Sequence, residues 1–248
     1  MKKFFLIALV AIFSSGCVST TIKSEAFGKQ KRFAVISIIG STDITDIKAQ
    51  NGSGSLLGTI AAVASDDINM SENSDKIFKK TQVILDKELA KAKSFRYIPT
   101  GTILKSSAYK NAKGAEPKFG IFTIGVAPGF KYFDESNMAE MKKIIKANRL
   151  DGVIIVSSNY HYGSGGLNIG GLVTLGTTRG FTRMSFNAID KNMNQVWSQH
   201  IEIKSDESIT NVSGVPRFSK LYPLLEQVAH TAVQKAVETV DTQVLAKK

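Results

Sequence analysis

The residue types that could carry chemistry are few in this 248-residue chain: three histidines, one cysteine, and a glycine-rich stretch followed by hydroxyls. His161, His200 and His230 stand apart, with no HxxxH or HExxH spacing, so no two imidazoles share a helix face as a zinc site would need. His200 alternates with apolar positions of a strand and is expected to face solvent; His230 lies among Glu226, Gln227 and Gln234 on the polar side of a helix. His161, between Tyr160 and Tyr162, ends an apolar strand, where α/β sheets commonly meet ligands, yet no base or acid stands beside it in sequence. Gly171 to Thr178 has the outer glycines of a phosphate loop. Thr177, however, stands where the lysine that reaches the β- and γ-phosphates belongs, and a strand comes next instead of a helix, so the phosphate-loop reading fails on residue and on context. The dinucleotide pattern GxGxxG fails at Asn168. The Asp and Glu residues sit mostly with lysines on helices, as solvated faces do. One cysteine rules out an internal disulfide framework and a multi-thiolate metal cluster. No catalytic set, metal site or cofactor is expected.

The elements that must position these residues are read from hydrophobic spacing. Phe33 to Ile39 is an apolar run interrupted only by Ser37 and ending at Gly40, and Val153 to Val156 after Leu150-Asp151-Gly152 is apolar throughout; both predict strands buried on two faces. Ser74 to Lys93 places Ile77, Phe78, Ile84, Leu85, Leu89 and Ala92 at helical spacing, with Asn73 or Ser74 as the cap. Phe95 to Pro99 predicts a short strand, and Ser136 to Asn148 a second helix carrying Met138, Met141, Ile144 and Ile145. Phe181–Asp190 and Gln195–Lys204 predict an antiparallel hairpin, with Met184, Phe186 and Ala188 facing Trp197, Ile201 and Ile203 inward. A long helix from about Ser219 to Leu245 shows a full apolar stripe from Leu221 to Val244, and Pro223 is expected in its first turn. The fold class is α/β (α+β): a mixed sheet flanked by helices, with an antiparallel hairpin and a long C-terminal helix.

Two glycine-rich inserts interrupt this order, near 119–130 and 163–180; a third glycine-bearing stretch, 52–64, reads as a loop. The segment 163–180 holds seven glycines and is expected to be a flexible or closely packed loop, or else a surface for self-assembly or membrane contact. Both inserts carry few charges, and such strands are weakly specified in register.

Composition bounds the partners. The formal charge is +11 and the mean hydropathy is −0.02, which excludes a disordered or polytopic membrane chain. The lysines are spread along helices without arginine-rich motifs, so no nucleic-acid partner is expected; a basic surface suits an anionic envelope better.

Residues 1–17 open with Met1-Lys2-Lys3, continue through the apolar run Phe4–Phe13, and close on Ser14-Ser15-Gly16-Cys17. This is a secretory signal: the apolar run is too short to span a bilayer, for which about 20 residues are needed. With small residues before the only cysteine, the segment resembles the lipobox of bacterial lipoproteins, departing from it at Ser14 where leucine is usual. The resemblance implies cleavage after Gly16 and acylation of Cys17, palmitate included. The expected organisation is a signal peptide over 1–16, an acylated tether over 17–30 and one α/β domain over 31–248. Val18 in place of aspartate favours the outer membrane under the enteric sorting rule.

The order of elements, with Arg149-Leu150-Asp151-Gly152-Val153 and the hairpin Ile189-Asp190-Lys191-Asn192-Met193-Asn194-Gln195-Val196-Trp197, resembles envelope lipoproteins with the TolB amino-terminal type of domain, among them the CsgG-type secretion lipoproteins and the penicillin-binding-protein activators. That resemblance implies a non-enzymatic domain that binds an envelope protein or self-associates. The expected function is a lipid-anchored accessory or assembly component facing the periplasm. The alternative is a protomer of an oligomeric outer-membrane secretion pore.

Overall fold

The computed structural model describes residues 19–41, 44–47, 70–116, 124–169, 173–212 and 216–247. Its strands are β1 (Ser19–Ile22), β2 (Arg32–Ser41), β3 (Thr45–Asp46), β4 (Arg96–Tyr97), β5 (Ile124–Val126), β6 (Gly152–Ile169), β7 (Val173–Asp190), β8 (Gln195–Lys204) and β9 (Ile209–Val212). Its α-helices are α1 (Met70–Leu89), α2 (Thr100–Leu104), α3 (Ser107–Asn111), α4 (Met138–Ala147) and α5 (Phe218–Leu245). Among the described residues all nine strands form one mixed sheet in the order β1-β8-β7-β6-β2-β4, with β3 on β6, β5 on β2 and β9 on β7. Strand β2 runs parallel to β4 and β6, while β6, β7, β8 and β1 alternate in direction.

Helices cover the sheet unevenly, and the sequence pattern shows why. On one face α1 and α5 bury Phe33, Val35, Ile38, Ile154, Val156, Met184, Phe186, Trp197 and Ile201 against stripes that include Ile77, Phe78, Leu85, Leu225, Val228 and Val240. On the other, α2, α3 and α4 bury Ala34, Ile36 and Val153 under Ile103, Tyr109, Met141, Ile144 and Ile145. Strands β2 and the start of β6 therefore sit between two layers and have no polar face. Ala34 and Ile36 face the second layer by alternation, and a bulge between Val35 and Ser37 shifts the phase so that Ile38 returns to the first. Strands β7 and β8 are helix-covered on one face only, so they alternate: Met184, Phe186 and Ala188 are buried, Arg183, Ser185 and Asn187 half-buried. The inward residues of the expected hairpin, Ile203 included, are all buried, and so is the whole stripe of α5.

The structure corrects several expectations. The segment 17–30, expected as a tether, is folded from Ser19 onward. Ser19–Ile22 pairs with β8, a turn of 3-10 helix spans Ser24–Ala26, and Phe27 is buried against Phe33 and Phe95 at ring distances of 5.0 and 5.9 Å. The described residues of the glycine-rich segment, 163–169 and 173–180, are strand and not loop, and 170–172 lie outside the described residues. Strands β6 and β7 pair without a break from Gly152↔Asp190 to Ile169↔Val173, so this stretch forms the end of a hairpin with 18-residue strands. Within 119–130, Ile124–Val126 adds antiparallel to β2 of the same chain, and residues 117–123 lie outside the described residues, as do 52–64. Helix α1 starts four residues before Ser74 and ends at Leu89, so Asn73 and Ser74 are buried inside it instead of capping it, and Ala92 packs on the core from the turn beyond. Met138 is exposed. Pro223 is the sixth residue of α5, beyond the first turn, so the helix forgoes a hydrogen bond to the carbonyl of Ser219.

Candidate functional site

The face of β6, β7 and β8 that α4 does not reach presents polar side chains in register. One row across it is Ser157, Ser185 and His200; the next is Asn159, Arg183 and Glu202; a third is His161, Phe181 and Lys204. Ser185 Oγ lies 2.8 Å from His200 Nδ1, and Arg183 Nε donates to Glu202 at 3.1 Å. Asn159 Oδ1 accepts the Ser41 N–H at 2.8 Å and so fastens the end of β2. Phe181 lies under Lys204, whose Nζ is 5.7 Å from the ring centre. His200 is exposed, as its alternation requires.

His161 is buried at 4% exposure. Burial lowers its pKa, the Arg183 charge pushes the same way, and Glu202 opposes them, so the imidazole is held toward its neutral form. The Ser185–His200 pair has the distance of a nucleophile and base, but such a pair needs a third group to orient the imidazole. No carboxylate is bonded to His200 among the described residues.

At the opposite end of the sheet the Asp151-Gly152 strand entry meets the Asp190 turn. Gly152 pairs with Asp190, and the Lys191 N–H donates to the Asp151 carbonyl. Asp151 Oδ2 accepts the Arg32 N–H at 2.9 Å, joining the starts of β2 and β6. Asp190 Oδ1 accepts the N–H groups of Asn192 and Asn194, and this closes the β7–β8 turn in which Met193 takes a φ of 67°. A Cβ on Gly152 would run into the Phe33 ring and stand 2.6 Å from the Ile189 carbonyl oxygen, so only glycine fits. Both motifs thus serve folding. They also wall a cleft of about 460 Å³ that is lined by Lys23, Lys31 and Lys191 as well as by Glu25, Asp151 and Asp190, with neither sign of charge in excess.

Sequence reasoning missed two polar clusters beside α1, one around buried Glu88 and one around half-buried Asp86. Glu88, 2% exposed, receives Lys91 at 2.7 Å and faces His230 Nε2 at 3.1 Å, so His230 is not on a free polar side of α5. Burial works to raise the Glu88 pKa, but the bonds and charges of Lys91 and His230 outweigh it and hold the carboxyl below its usual range. Asp86 accepts from Tyr97 Oη at 2.7 Å and from both the N–H and the hydroxyl of Thr100, tying α1 to α2; burial and this carboxylate raise the Tyr97 pKa. The only signal in sequence was a carboxylate on the apolar side of a helix stripe. Among the described residues no group of three or more His, Cys, Asp or Glu is placed to hold a metal, and no helix is long and apolar enough to cross a membrane.

Cys17 lies outside the described residues. Ser19, two residues beyond it, is paired with His200 in the sheet.

No protein-family model matches the chain, and no curated protein matches it. Among solved structures, the lipoprotein GNA1162 from Neisseria meningitidis aligns at 14% identity and a TM-score of 0.26, covering 81% of this chain and 96% of that one. A homologue of the neuraminyllactose-binding hemagglutinin from Helicobacter pylori aligns at 10% identity and a TM-score of 0.38, covering 89% and 93%. A hypothetical protein from Chlamydia trachomatis aligns at 8% identity and 0.27, covering 88% and 95%. These TM-scores describe loose superpositions, which assign neither a family nor a function.

Proposed function

We propose that this chain is a bacterial envelope lipoprotein, acylated at Cys17 and facing the periplasm from the outer membrane, that works by binding a protein partner or its own copies and not as an enzyme. The observation that carries the reading is the order of residues 1–17: two lysines, a ten-residue apolar run, small residues, then the only cysteine of the chain. The places of the histidines support a binding role. His161 is buried in the sheet, His200 is paired with a serine on an open face, and His230 is engaged with Glu88. The polar face of β6–β8, half-exposed and fixed by cross-strand pairs, is a surface that a protein can read. Cys17→Ser is expected to abolish incorporation of radioactive palmitate and to release the protein from the membrane fraction; continued acylation of that variant would overturn the reading. Crosslinking in whole cells, with identification of the captured chain, distinguishes a foreign partner from self-association.

One observation favours a second reading, a protomer of an oligomeric pore. Residues 163–169 and 173–179 are the arms of the β6–β7 ribbon beyond its pairing with β3 and β8, seven residues each, and about 9–11 tilted strand residues cross a bilayer, so insertion needs the residues between the arms as well. A lone ribbon leaves its edges unpaired in lipid, so crossing requires closure with other copies. Conductance in planar bilayers, or rings in detergent, supports this reading; a stable monomer without channel activity refutes it.

A further inference from the structure

Two arginines stand side by side where the parallel strands begin. Arg32 of β2 and Arg96 of β4 are register partners on neighbouring strands, about 4.8 Å apart. The residues after them, Phe33 and Tyr97, join the core under α1 and α5, while Ala34 and Ile98 join the one under α2, α3 and α4. By alternation both arginines lie on the side of α4. Like charges in that relation repel. Neither side chain makes a hydrogen bond or ion pair among the described residues, and Arg32 Nε is buried without an acceptor.

Further cations join this pair. The Asp151 N–H donates to the Arg32 carbonyl at 2.8 Å, which sets Arg149, two residues earlier, beside the start of β2. The Arg149 N–H donates to the Lys146 carbonyl in the last turn of α4, and Asn148 Nδ2 reaches Ser106 Oγ at 3.3 Å, which brings Lys105 to the same end. Lys142 extends the row one turn back along α4. Arg96, Lys105, Lys142, Lys146 and Arg149 are exposed, and none of them is paired with an acid among the described residues. The carboxylates bonded at this end are engaged: Asp151 takes the Arg32 N–H and Lys31 Nζ, and Asp190 Oδ1 closes its turn. Glu140, toward the other end of α4, takes Lys143. Cations at a helix C-terminus answer its dipole, which accounts for Lys146 and Arg149. It does not account for two arginines on adjacent strands.

The geometry also selects among anions. Arginine forks match carboxylate and phosphate oxygens alike. A single phosphate is held best where a helix N-terminus and free backbone N–H groups converge. Here α2 and α4 present their C-termini, and the N–H groups of Arg149, Leu150 and Asp151 are already given to the carbonyls of Lys146, Ile145 and Arg32. Cations spread over two strands and two helix ends suit a row of separate carboxylates instead. The chain enters β1 from the other end of the sheet, from which the β6–β7 hairpin also projects, so this end is clear of both.

We propose that Arg32, Arg96, Lys105, Lys142, Lys146 and Arg149 form the docking surface for an acidic segment, a run of Asp and Glu side chains, of a protein partner. The proposal extends the partner-binding reading and does not depend on acylation of Cys17.

Fluorescence anisotropy of a fluorescein-labelled decaglutamate peptide, with the full chain in nonionic detergent, tests the surface. Binding is expected at low ionic strength and should fall as salt screens it. Arg32→Gln with Arg96→Gln should weaken binding several-fold, while Lys79→Gln with Lys87→Gln, which removes the same charge from exposed positions on α1, should leave it nearly unchanged. Lys142→Gln with Lys146→Gln, both exposed on α4, repeats the loss should the arginine variant misfold. Equal losses from the α1 variant mean attraction to net charge only and overturn the proposal, as does failure of the wild type to bind the peptide. Displacement by inorganic phosphate where chloride of equal ionic strength has no effect overturns the carboxylate assignment. Whole-cell crosslinking separates the two readings: a partner captured equally by the wild type and the folded arginine variant removes this surface and leaves the partner-binding reading standing.

Discussion

Phe27→Ala tests whether the segment that follows Cys17 belongs to the fold. Phe27 is 5% exposed, stacked on Phe33 with ring planes 17° apart, and tilted against Phe95; Phe33 and Phe95 meet each other edge-on at 5.5 Å. Truncating a buried phenylalanine costs about 3–5 kcal/mol, from lost transfer energy and an unfilled cavity. Phe27 joins the core from a terminal segment that can relax, so the low end applies, about 3 kcal/mol. In a domain of this size that lowers the melting temperature by about 6–12 °C. Trp197, the only tryptophan, is fully buried and stacked on Phe186 at 5.3 Å, so its fluorescence reports global unfolding in urea from a site remote in sequence. The expected result is a clear drop in midpoint at unchanged slope. Val83→Ala, at an exposed position on α1, is the control and should shift stability by less than about 0.5 kcal/mol. If Phe27→Ala behaves like Val83→Ala, residues 23–30 do not pack on Phe33 and Phe95, and strand β1 loses its support.

Backbone crowding and histidine burial give two more expected outcomes. Gly40→Ala places a Cβ onto the Ser158 carbonyl oxygen with the Phe78 ring 3.1 Å away; backbone on one side and core on the other leave no room, so the variant should accumulate poorly and, where purified, melt well below wild type. The His161 pKa is lowered in the folded state, so its contribution is present above the unfolded histidine value, about 6.5, and is lost as pH falls through the folded value below it. Thermal melts between about pH 7.5 and 5 should therefore show wild-type stability falling toward acid, and His161→Phe should flatten that part of the profile; an unchanged slope in the variant would remove His161 as its source.

Legibility varies with the range of the interaction. Near-continuous apolar runs announce β2 and β6 as strands with two covered faces, and alternation announces the inward residues of β7 and β8, because each signal is written within one element. Ser19–Ile22 carries no such signal: a short Ser-Thr-Thr-Ile stretch reads as polar linker, and its strand state comes from the backbone edge that β8 offers it from the far end of the sequence. The glycine-rich hairpin reads as a loop for a related reason. Glycine lacks strand propensity, yet once Gly152–Tyr162 is locked to Gly180–Asp190 by core packing, the ladder extends outward at little further entropic cost. Glu88 meets Lys91 within three residues of chain, but its meeting with His230 needs two helices to pack 142 residues apart.

The sequence by itself determined the periodicities, and with them the strands, the long helix and the faces each would bury; it also carries the order of lysines, apolar run and cysteine over residues 1–17 on which the proposed anchor rests. Those are local properties of spacing and residue type. The tertiary structure decided what spacing does not encode: that the chain behind Cys17 enters the sheet at once, that the glycines continue a hairpin, and that both lie at the same end. Strand direction and edge pairing are properties of the assembled sheet, since a backbone edge accepts a neighbour through N–H and C=O groups that nearly every residue carries alike.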